Sequence, residues 1–403
     1  MDKDKIKLSL TKYQVKSFQF IIGKEKIEVL PSEIVSFTIT EDYDNFYFPY
    51  FEMVLSISNS RYRKLVKNST KIKANISIYK GKFKGVINNI DTEAVSFKKA
   101  INGKFKVFLD NETPNLSDEE EKQIDKNGDQ YGQLTTFKIA LYPDDYYKKY
   151  DLVVNGNFLN VTLADMVGYI LTKTKIKNVL MSPPSNYKKY KQFILTPIST
   201  CEQLDRICNT YAIHSKGSIV FFGLDRLYII DKAPKCTTYA KNEYKITYVI
   251  YSTESKSTIS SGGCFSSSKG KYNVLNASKF TVNNDREVVK KSAGKNIVSV
   301  NVDGKITKTN KKSTKVTKVV VQNEGASTVK SLKRDIVESK RIITTQFSDI
   351  DINMVTPNKQ FIISVEGAAF KKYNGKYRLS KAVHAFKPDG DYFQVESSCE
   401  FRG

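Results

Sequence analysis

The sequence predicts a mainly β protein of the α+β class, in which two small antiparallel β-barrels are joined by an α/β connector domain. Three observations carry this prediction. Segments in which apolar and polar residues alternate, as in half-buried strands, fill both ends of the 403-residue chain. Turn sequences such as Gly-Lys, Asn-Gly and Asp-Gly separate these segments. Two helices with capping signals lie between the strand-rich ends.

The first predicted domain covers residues 1–150. Alternation predicts strands at residues 18–22, 27–30, 35–39, 51–57, 72–78, 83–90, 105–109 and 134–141. In the third of these strands, Val35, Phe37 and Ile39 are expected on the buried face. A run of strands like this one is typical of a small closed barrel, which removes the exposed edges of an open sheet.

Three shorter features of this domain connect the strands. Gly23-Lys24 is predicted to close a two-residue hairpin, and Lys80-Gly81-Lys82 is predicted to turn the chain. Residues 60–68 place apolar side chains at helical spacing, so we expect one short helix on the outside of the barrel.

An acidic, apolar-poor insert occupies residues 111–132. It has too few apolar residues to order itself alone, so we expect an exposed loop between two strands of the first barrel. Residues 125–129 are similar in composition to a calcium-binding loop, but the glutamate that closes such a loop is missing. We therefore predict no calcium site.

The α/β connector domain is predicted for residues 151–235 and begins with a helix. Thr162 and Asp165 have the spacing of a capping box, in which each side chain satisfies a backbone amide of the first turn. Apolar residues then recur with helical period at Leu163, Met166, Val167, Ile170 and Leu171. This pattern predicts an amphipathic helix with one buried face.

A second connector helix is predicted to pack on a hairpin. Ser199 and Glu202 form another capping box, and the helix that follows has one apolar stripe. The stripe consists of Leu204, Ile207, Cys208 and Tyr211. Residues 219–222 and 227–230 are β-branched and aromatic runs joined by a short loop that contains Gly223. We expect this hairpin to cover the stripe.

Residues 236–326 are predicted to be β-rich and basic and to contribute in part to the second barrel. Residues 244–251 are expected to form a strand, whereas the serine- and glycine-rich residues 252–271 are expected to form a loop. Residues 272–282 and 297–302 are further strand candidates. The lysine-rich segment 268–318 is the most basic part of the chain.

The last predicted domain, residues 327–403, consists of a helix followed by the second barrel. Residues 327–340 have helical periodicity after a capping serine. Strands are predicted at residues 341–346, 361–365, 376–384 and 392–400, with turns at Asn374-Gly375 and at residues 388–390.

The composition limits the function. The formal charge of +23 favours an acidic partner such as nucleic acid, an acidic protein or an anionic surface, although lysine also solubilises β-rich proteins. The five cysteines lack metal-ligand spacing and are expected to be reduced and mostly buried. No phosphate-binding or nucleophile motif occurs, and His214 and His384 lie at no spacing that suggests a metal or catalytic pair. We therefore predict no catalytic, metal or cofactor residues and no enzymatic activity.

Two local patterns resemble a known family. The first is the connector helix with Leu204, Ile207, Cys208 and Tyr211, followed by the strand that ends in Tyr228-Ile229-Ile230-Asp231. The second is the order of the last strands, with Asn-Lys-Gln-Phe-Ile-Ile-Ser-Val before Gly-Lys-Tyr-Arg-Leu-Ser-Lys-Ala-Val-His. Both patterns resemble phage tail baseplate hub proteins of the late-control-D-like family. This family is related to the N-terminal hub part of the spike proteins of contractile secretion systems.

The resemblance implies a structural protein with tube-like barrels that assembles as a homotrimer. Three chains with two barrels each would adapt a sixfold tail tube to a threefold central spike. The resemblance also implies a location in the tail baseplate of the virion, with the tail tube or other baseplate proteins as partners. The acidic insert and the lysine-rich segment 268–318 are not features of this pattern. For the lysine-rich segment we keep tape-measure protein and DNA as candidate partners.

Two further expectations concern assembly. Only three residues follow the last predicted strand at Glu400, so we expect the spike to be a separate polypeptide. No membrane-spanning segment or signal peptide is recognisable, so we expect assembly in the host cytoplasm. The alternative function is a nucleic-acid-binding protein whose basic, OB-like barrels stack bases on Tyr and Phe.

Overall fold

The fold is described from a computed structural model of the chain. It describes residues 7–86, 89–90, 97–110, 134–150, 152–214, 216–232, 243–253, 258–267, 272–275, 280–283, 297–301, 306–308, 316–321, 342–365, 371 and 373–403. Strands dominate the described part, and the prediction of a mainly β, α+β protein is confirmed. The predicted domain boundaries at residues 150, 235 and 326 remain predictions.

The N-terminal part contains most strands of the first barrel. The strands of this part are β1 (Lys7–Ile22), β2 (Glu25–Glu28), β3 (Ile34–Asp42), β4 (Tyr50–Ser58), β5 (Lys73–Val86), β6 (Asn89–Ile90), β7 (Phe97–Leu109) and β8 (Leu134–Pro143), of which β2 and β6 are short strands beside the barrel. The predicted turn at Gly23 is confirmed, since its φ of 60° is the left-handed conformation that glycine adopts freely. The predicted outer helix is α1 (Asn59–Lys67), which buries Leu65.

The connector contains helices and two small sheets. Its elements are α2 (Asp144–Tyr150), β9 (Gly156–Val161), α3 (Leu163–Thr174), β10 (Val179–Met181), β11 (Tyr190–Leu195), α4 (Thr200–Asp205), β12 (Ser218–Phe222) and β13 (Leu227–Asp231). Both predicted capping boxes are present, at Thr162 and at Ser199. After α4 the helix continues as one wide π-helical turn over Arg206–Thr210.

The remaining strands complete the structure. They are β14 (Glu243–Thr253), β15 (Thr258–Ser267), β16 (Tyr272–Leu275), β17 (Phe280–Asn283), β18 (Ile297–Asn301), β19 (Ile306–Lys308), β20 (Val316–Val321), β21 (Ile342–Ser348), β22 (Gln360–Val365), β23 (Gly375–Asp389) and β24 (Tyr392–Arg402). Strands β18, β19 and β20 form a separate three-stranded antiparallel sheet. The predicted helix at 327–340 and the calcium-like residues 125–129 lie outside the described residues.

The first barrel is a closed ring of eight strands. Its order is β1-β5-β7-β8-β4-β3-β23-β24, and neighbouring strands are antiparallel. The ring closes where Tyr13 of β1 pairs with Phe393 of β24. The predicted closed barrel is therefore present, but the N-terminal strands close it only together with the C-terminal hairpin of β23 and β24.

The same hairpin belongs to a second ring of strands. Its order is β24-β21-β17-β15-β14-β22-β23, which returns to β24. One pair in this ring, β14 with β22, is parallel rather than antiparallel as expected. This pairing is possible because the two strands are distant in sequence and need no tight turn between them.

The connector hairpin β12–β13 is buried on both faces. Val220 and Ile229 pack with Leu204, Ile207 and Cys208 of the connector, as predicted. The opposite face, which includes Ile219 and Phe221, packs into the core of the second barrel. This pair of strands therefore joins the connector to that barrel.

Three local predictions were wrong. Val35 is 50% exposed because a β-bulge between Ile34 and Ser36 shifts the side-chain alternation. The chain does not turn at Lys80-Gly81-Lys82, because β5 continues there with a partner strand on each side. The serine-rich residues after 252 contain strand β15, which pairs with β14 and β17. In each case pairing with neighbouring strands outweighed local sequence preference.

No helix in the described residues is both long enough and apolar enough to cross a bilayer.

Candidate functional site

The junction between the two barrels is the candidate functional site, because the shared hairpin passes from one barrel to the other there. Residues 375–378 of β23 pair with β22 of the second barrel. Residues 381–386 of the same strand pair with β3 of the first barrel. A β-bulge at Ser380 separates the two regions.

On β24, a polar residue lies between two apolar runs. Phe393 and Val395 belong to the core of the first barrel, whereas Cys399 and Phe401 belong to the core of the second. Ser397 lies between them on the same face and is fully buried. The boundary between the two cores is therefore marked by a hydroxyl group.

Strands β23 and β3 show the same arrangement. On β23, His384 lies between Phe386 of the first core and Ala382 of the second. On β3, Glu41 lies between Ile39 of the first core and Tyr43 of the second. Each of the three strands thus places one buried polar side chain where the two apolar cores meet. We call Glu41, His384 and Ser397 the polar belt.

His384 connects the polar belt, through a hydrogen bond with Ser397 and a longer electrostatic contact with Glu41. His384 Nδ1 lies 2.7 Å from Ser397 Oγ, and His384 Nε2 lies 3.7 Å from Glu41 Oε2. The Tyr43 hydroxyl donates a hydrogen bond of 3.0 Å to the same Glu41 carboxylate. Burial, and after it the charge of Glu41, raises the pKa of Tyr43 well above its ordinary value. Tyr43 therefore remains a neutral donor at physiological pH.

An ion cluster around Asp44 joins the barrels to the connector. Its carboxylate lies 3.1 Å from Arg378 of β23, 2.8 Å from Lys232 after β13 and 3.6 Å from Arg402 of β24. Burial alone would raise the pKa of Asp44, but Arg378, followed by Lys232, holds that pKa well below its ordinary value. Asp44 is therefore ionised, and three parts of the chain meet at one anion.

A crossing segment, residues 349–355, lies against β1 and β5. The Tyr13 hydroxyl of β1 accepts a hydrogen bond of 2.9 Å from the amide of Ile352. Lys80 of β5 and Asp351 form a largely buried ion pair at 2.7 Å. Lys359 lies close to this pair, and burial lowers its pKa to about 8. The segment between β21 and β22 is thus held on the first barrel.

The two histidines have structural contacts. His384 belongs to the polar belt. His214 is fully buried. Its Nε2 donates a hydrogen bond of 3.1 Å to the Ser182 carbonyl oxygen, and its Nδ1 lies 2.7 Å from Ser218 Oγ. Burial lowers the pKa of His214, so the ring is neutral. These contacts agree with the structural roles expected for both side chains.

The predicted thiols behave as expected where the structure describes them. Cys201, Cys208 and Cys399 are free and buried. Burial raises the pKa of Cys208 and of Cys399 far above the ordinary value, so both remain protonated. Within the described residues, no cluster of three or more His, Cys, Asp or Glu side chains could hold a metal ion. Cys236 and the side chain of Cys264 lie outside the described part.

Sequence reasoning missed the polar belt, although a signal was present. Glu41, His384 and Ser397 each interrupt an apolar series on one face of a strand. A single polar residue at such a position is unexpected in a simple barrel core, because an unpaired buried polar group is destabilising. Three interruptions on strands that pair would have indicated contact among them.

Comparisons with solved structures give distant likenesses. A tail protein from Neisseria meningitidis MC58 has a TM-score of 0.48 and 10% identity, with 98% of this chain and 96% of that chain covered. The 43 kDa tail protein of prophage MuSo2 from Shewanella oneidensis has a TM-score of 0.47 and 11% identity, with 95% and 97% covered. The E. coli c3393 protein, a component of the type VI secretion system, has a TM-score of 0.43 and 9% identity, with 96% and 76% covered.

The family is identified from the sequence. A comparison with curated proteins finds no match. The profile of the family described as "Bacteriophage PBS1 gene 109 protein" matches residues 4–399, which is nearly the whole chain. The chain therefore belongs to the bacteriophage PBS1 gene 109 protein family.

Proposed function

We propose that this chain is a structural hub protein of a phage or phage-like tail. The observation that carries the proposal is the pair of strand rings joined by one shared hairpin, β23–β24. Membership in a phage protein family supports a role in a phage or phage-like particle. The described cores of the two barrels are built mainly from apolar side chains, which is consistent with a structural role.

The hub assembles as a homotrimer in this proposal. Three copies with two barrels each present six barrels around a ring, which fits a sixfold tail tube. The same ring keeps the threefold symmetry of its chains, which fits a threefold central spike. Its partners are further copies of itself, a separate spike protein and the tail tube or other baseplate proteins. Its location is the tail baseplate of the virion, after assembly in the host cytoplasm.

The shared hairpin supports this symmetry argument. Two barrels joined by a flexible linker would rotate relative to each other and would not present two fixed positions in a ring. Here β23 and β24 run through both barrels without a break, and Asp44 joins the end of β3 to Arg378 and Lys232. A pair of barrels held in this way can serve as two adjacent positions of a sixfold ring.

The alternative, base stacking on OB-like barrels, has less support. Most aromatic side chains on the barrel strands are buried in the core rather than exposed for stacking. Examples are Phe18, Phe37, Phe51, Phe105 and Phe137. Because a base must reach the face of an aromatic ring, these side chains cannot form a stacking platform.

Mass measurement in solution tests the proposal. Three chains of 45.8 kDa give a particle of about 137 kDa. Light scattering should find this mass at micromolar concentration, and tagged protein from infected cells should recover tube proteins together with a separate trimeric spike. A stable monomer that does not associate when the spike is added would contradict the hub.

A further inference from the structure

The ring of the first barrel is closed by its shortest strand pairing. Within the described strands, β1 and β24 pair only at Tyr13 and Phe393, whereas the other neighbouring strands of this ring pair along several residues. Residues 396–402 of β24 pair instead with β21 of the second barrel. We call the place where β1 and β24 meet the seam of the first barrel.

Asp349, the first residue of the crossing segment, bridges the two strands of the seam. Its carbonyl oxygen accepts a hydrogen bond of 2.8 Å from the amide of Thr11 on β1, and its own amide donates one of 2.8 Å to the carbonyl oxygen of Val395 on β24. The backbone of Asp349 is left-handed, with a φ of 55°, which only glycine, asparagine and aspartate adopt readily. One residue in a constrained conformation thus adds two hydrogen bonds to a short pairing.

The side chain of Asp349 fits this position poorly when it is ionised. Its Oδ1 atom is buried and has no hydrogen-bond partner among the described residues. One charged side chain acts on it from each of three strands: Lys12 of β1, Asp389 of β23 and Glu396 of β24. Strand β21, which leads into Asp349, contains no charged residue. Two of the three surrounding charges are therefore negative.

The charges around Asp349 already have partners. Three ion pairs at 2.6 to 2.7 Å join Lys12 with Asp389, Lys387 with Glu396, and Lys80 with Asp351 of the crossing segment. An ionised Asp349 adds a further carboxylate to this group without adding a cation. A protonated Asp349 adds no charge and has a hydroxyl group that can donate a hydrogen bond.

These surroundings favour the protonated form. Burial raises the pKa of Asp349, Lys12 and the backbone of Val395 oppose this shift, and Asp389 and Glu396 add to it. A carboxyl group whose pKa is raised in the closed seam binds its proton more tightly there than in an open seam. Its contribution to closure is therefore fully present below the value of an exposed aspartate, about 3.9, and is lost as pH rises through the raised value.

We propose that Asp349 is a pH-sensitive clasp, which tightens the seam of the first barrel when its carboxyl group is protonated and loosens the seam when the group is ionised. Ionisation places a negative charge beside Asp389 and Glu396. Moving residue 349 outward relieves this repulsion but breaks its bonds to Thr11 and Val395. This inference goes beyond the hub function and does not depend on trimer formation.

Amide hydrogen exchange of Thr11 in the full chain tests the proposal, because this amide bonds to Asp349 across the seam. The test variant is Asp349→Asn, since asparagine is neutral, has nearly the same shape and also tolerates a left-handed backbone. At neutral pH, Thr11 should exchange several-fold more slowly in the variant than in the unaltered protein. The difference should shrink as pH falls towards about 4, where the unaltered carboxyl group is protonated as well.

The matched control is Asp391→Asn, which removes an exposed carboxylate from the turn between β23 and β24. In the control, Thr11 should exchange at the same rate as in the unaltered protein at every pH. The proposal would be overturned if Asp349→Asn left Thr11 exchange unchanged or faster at neutral pH, or if the difference stayed constant with pH. A control that behaved like Asp349→Asn would show a general charge effect and would also overturn it.

A second measurement asks whether the seam responds to the charge of Asp349. Lys12→Gln is made alone and together with Asp349→Asn. Because Lys12 partly neutralises an ionised Asp349, its removal should accelerate Thr11 exchange at neutral pH more in the unaltered background than in the Asp349→Asn background. The loss of the Lys12 pair with Asp389 is common to both backgrounds and cancels. Equal acceleration in both backgrounds would contradict the clasp.

Discussion

His384 and Ser397 face each other across the C-terminal hairpin, with Nδ1 2.7 Å from Oγ, at the level where the cores of the two barrels meet. Both side chains are fully buried. A hydrogen bond in this position is satisfied only in one register of β23 on β24, because a shift by one residue would turn each side chain to the other face. The pair therefore fixes how the hairpin is shared.

Replacing Ser397 by alanine should destabilise the protein. The substitution leaves His384 Nδ1 buried without its partner, which costs about 1–3 kcal/mol. Ser398→Ala is the matched control, because Ser398 lies next in sequence on the opposite face and is only half-buried. Urea unfolding should show a clear loss of unfolding free energy for Ser397→Ala and a change below about 0.5 kcal/mol for Ser398→Ala. Equal changes in both variants would show that the polar belt adds no stability.

The Asp44 cluster makes stability depend on pH. The folded-state pKa of Asp44 is lowered, so its contribution is fully present above the unfolded value of about 3.9 and is lost as pH falls below that value. Asp44→Asn should lower the free energy of unfolding by about 3–5 kcal/mol at neutral pH, because it removes the one carboxylate that lies close to Arg378, Lys232 and Arg402. The difference in unfolding free energy between the unaltered protein and the variant should shrink below about pH 4.

The control for this experiment is Asp145→Asn, which changes an exposed carboxylate. It should leave both the unfolding free energy and its pH dependence nearly unchanged. A difference between the unaltered protein and Asp44→Asn that stays constant from neutral to acidic pH would mean that Asp44 is not held ionised by its neighbours.

The alternation of buried and exposed residues within single strands could be predicted from the sequence. The sharing of the β23–β24 hairpin by the two barrels could not. Phe51, Met53, Leu55 and Ile57 are all buried as expected, because an alternating pattern reports which face of a strand is covered. The pairing of β3 with β23 joins opposite ends of the chain. No local pattern reports such a pairing, because it depends on how distant segments fill one core.

The apolar stripe of the second connector helix gives another prediction. Leu204 is fully buried against the connector hairpin. Leu204→Asp should therefore lower the free energy of unfolding by about 3–5 kcal/mol. Leu159→Asp makes the same chemical change at a side chain that is 69% exposed. The melting temperature should fall strongly for Leu204→Asp and little for Leu159→Asp. Similar melting curves would mean that the stripe is not a buried face.

The two barrels should unfold together. Phe401→Ala removes a large side chain from the second core and should cost about 3–5 kcal/mol. Because β24 also belongs to the first barrel, amide hydrogen exchange should become faster in β3 and β4 as well. The reciprocal variant Phe137→Ala lies in the first core and should accelerate exchange in β21 and β22. Acceleration confined to the altered barrel would show two independent units.

The candidate site was less predictable than the strands around it. Glu41 and His384 are visible as polar interruptions, but their meaning depends on the contact between β3 and β23. Asp44 lies in a turn, where an acidic residue is ordinary, and only the fold brings Arg378 and Lys232 to it. Polar sites built from distant segments carry little local signal for this reason.

Electron microscopy of the purified protein in top view tests the hub most directly. We expect a ring with threefold symmetry that shows six barrel-sized densities, two from each chain, around a central opening. Particles with two barrel densities that do not associate at micromolar concentration, or rings whose symmetry is not threefold, would contradict it.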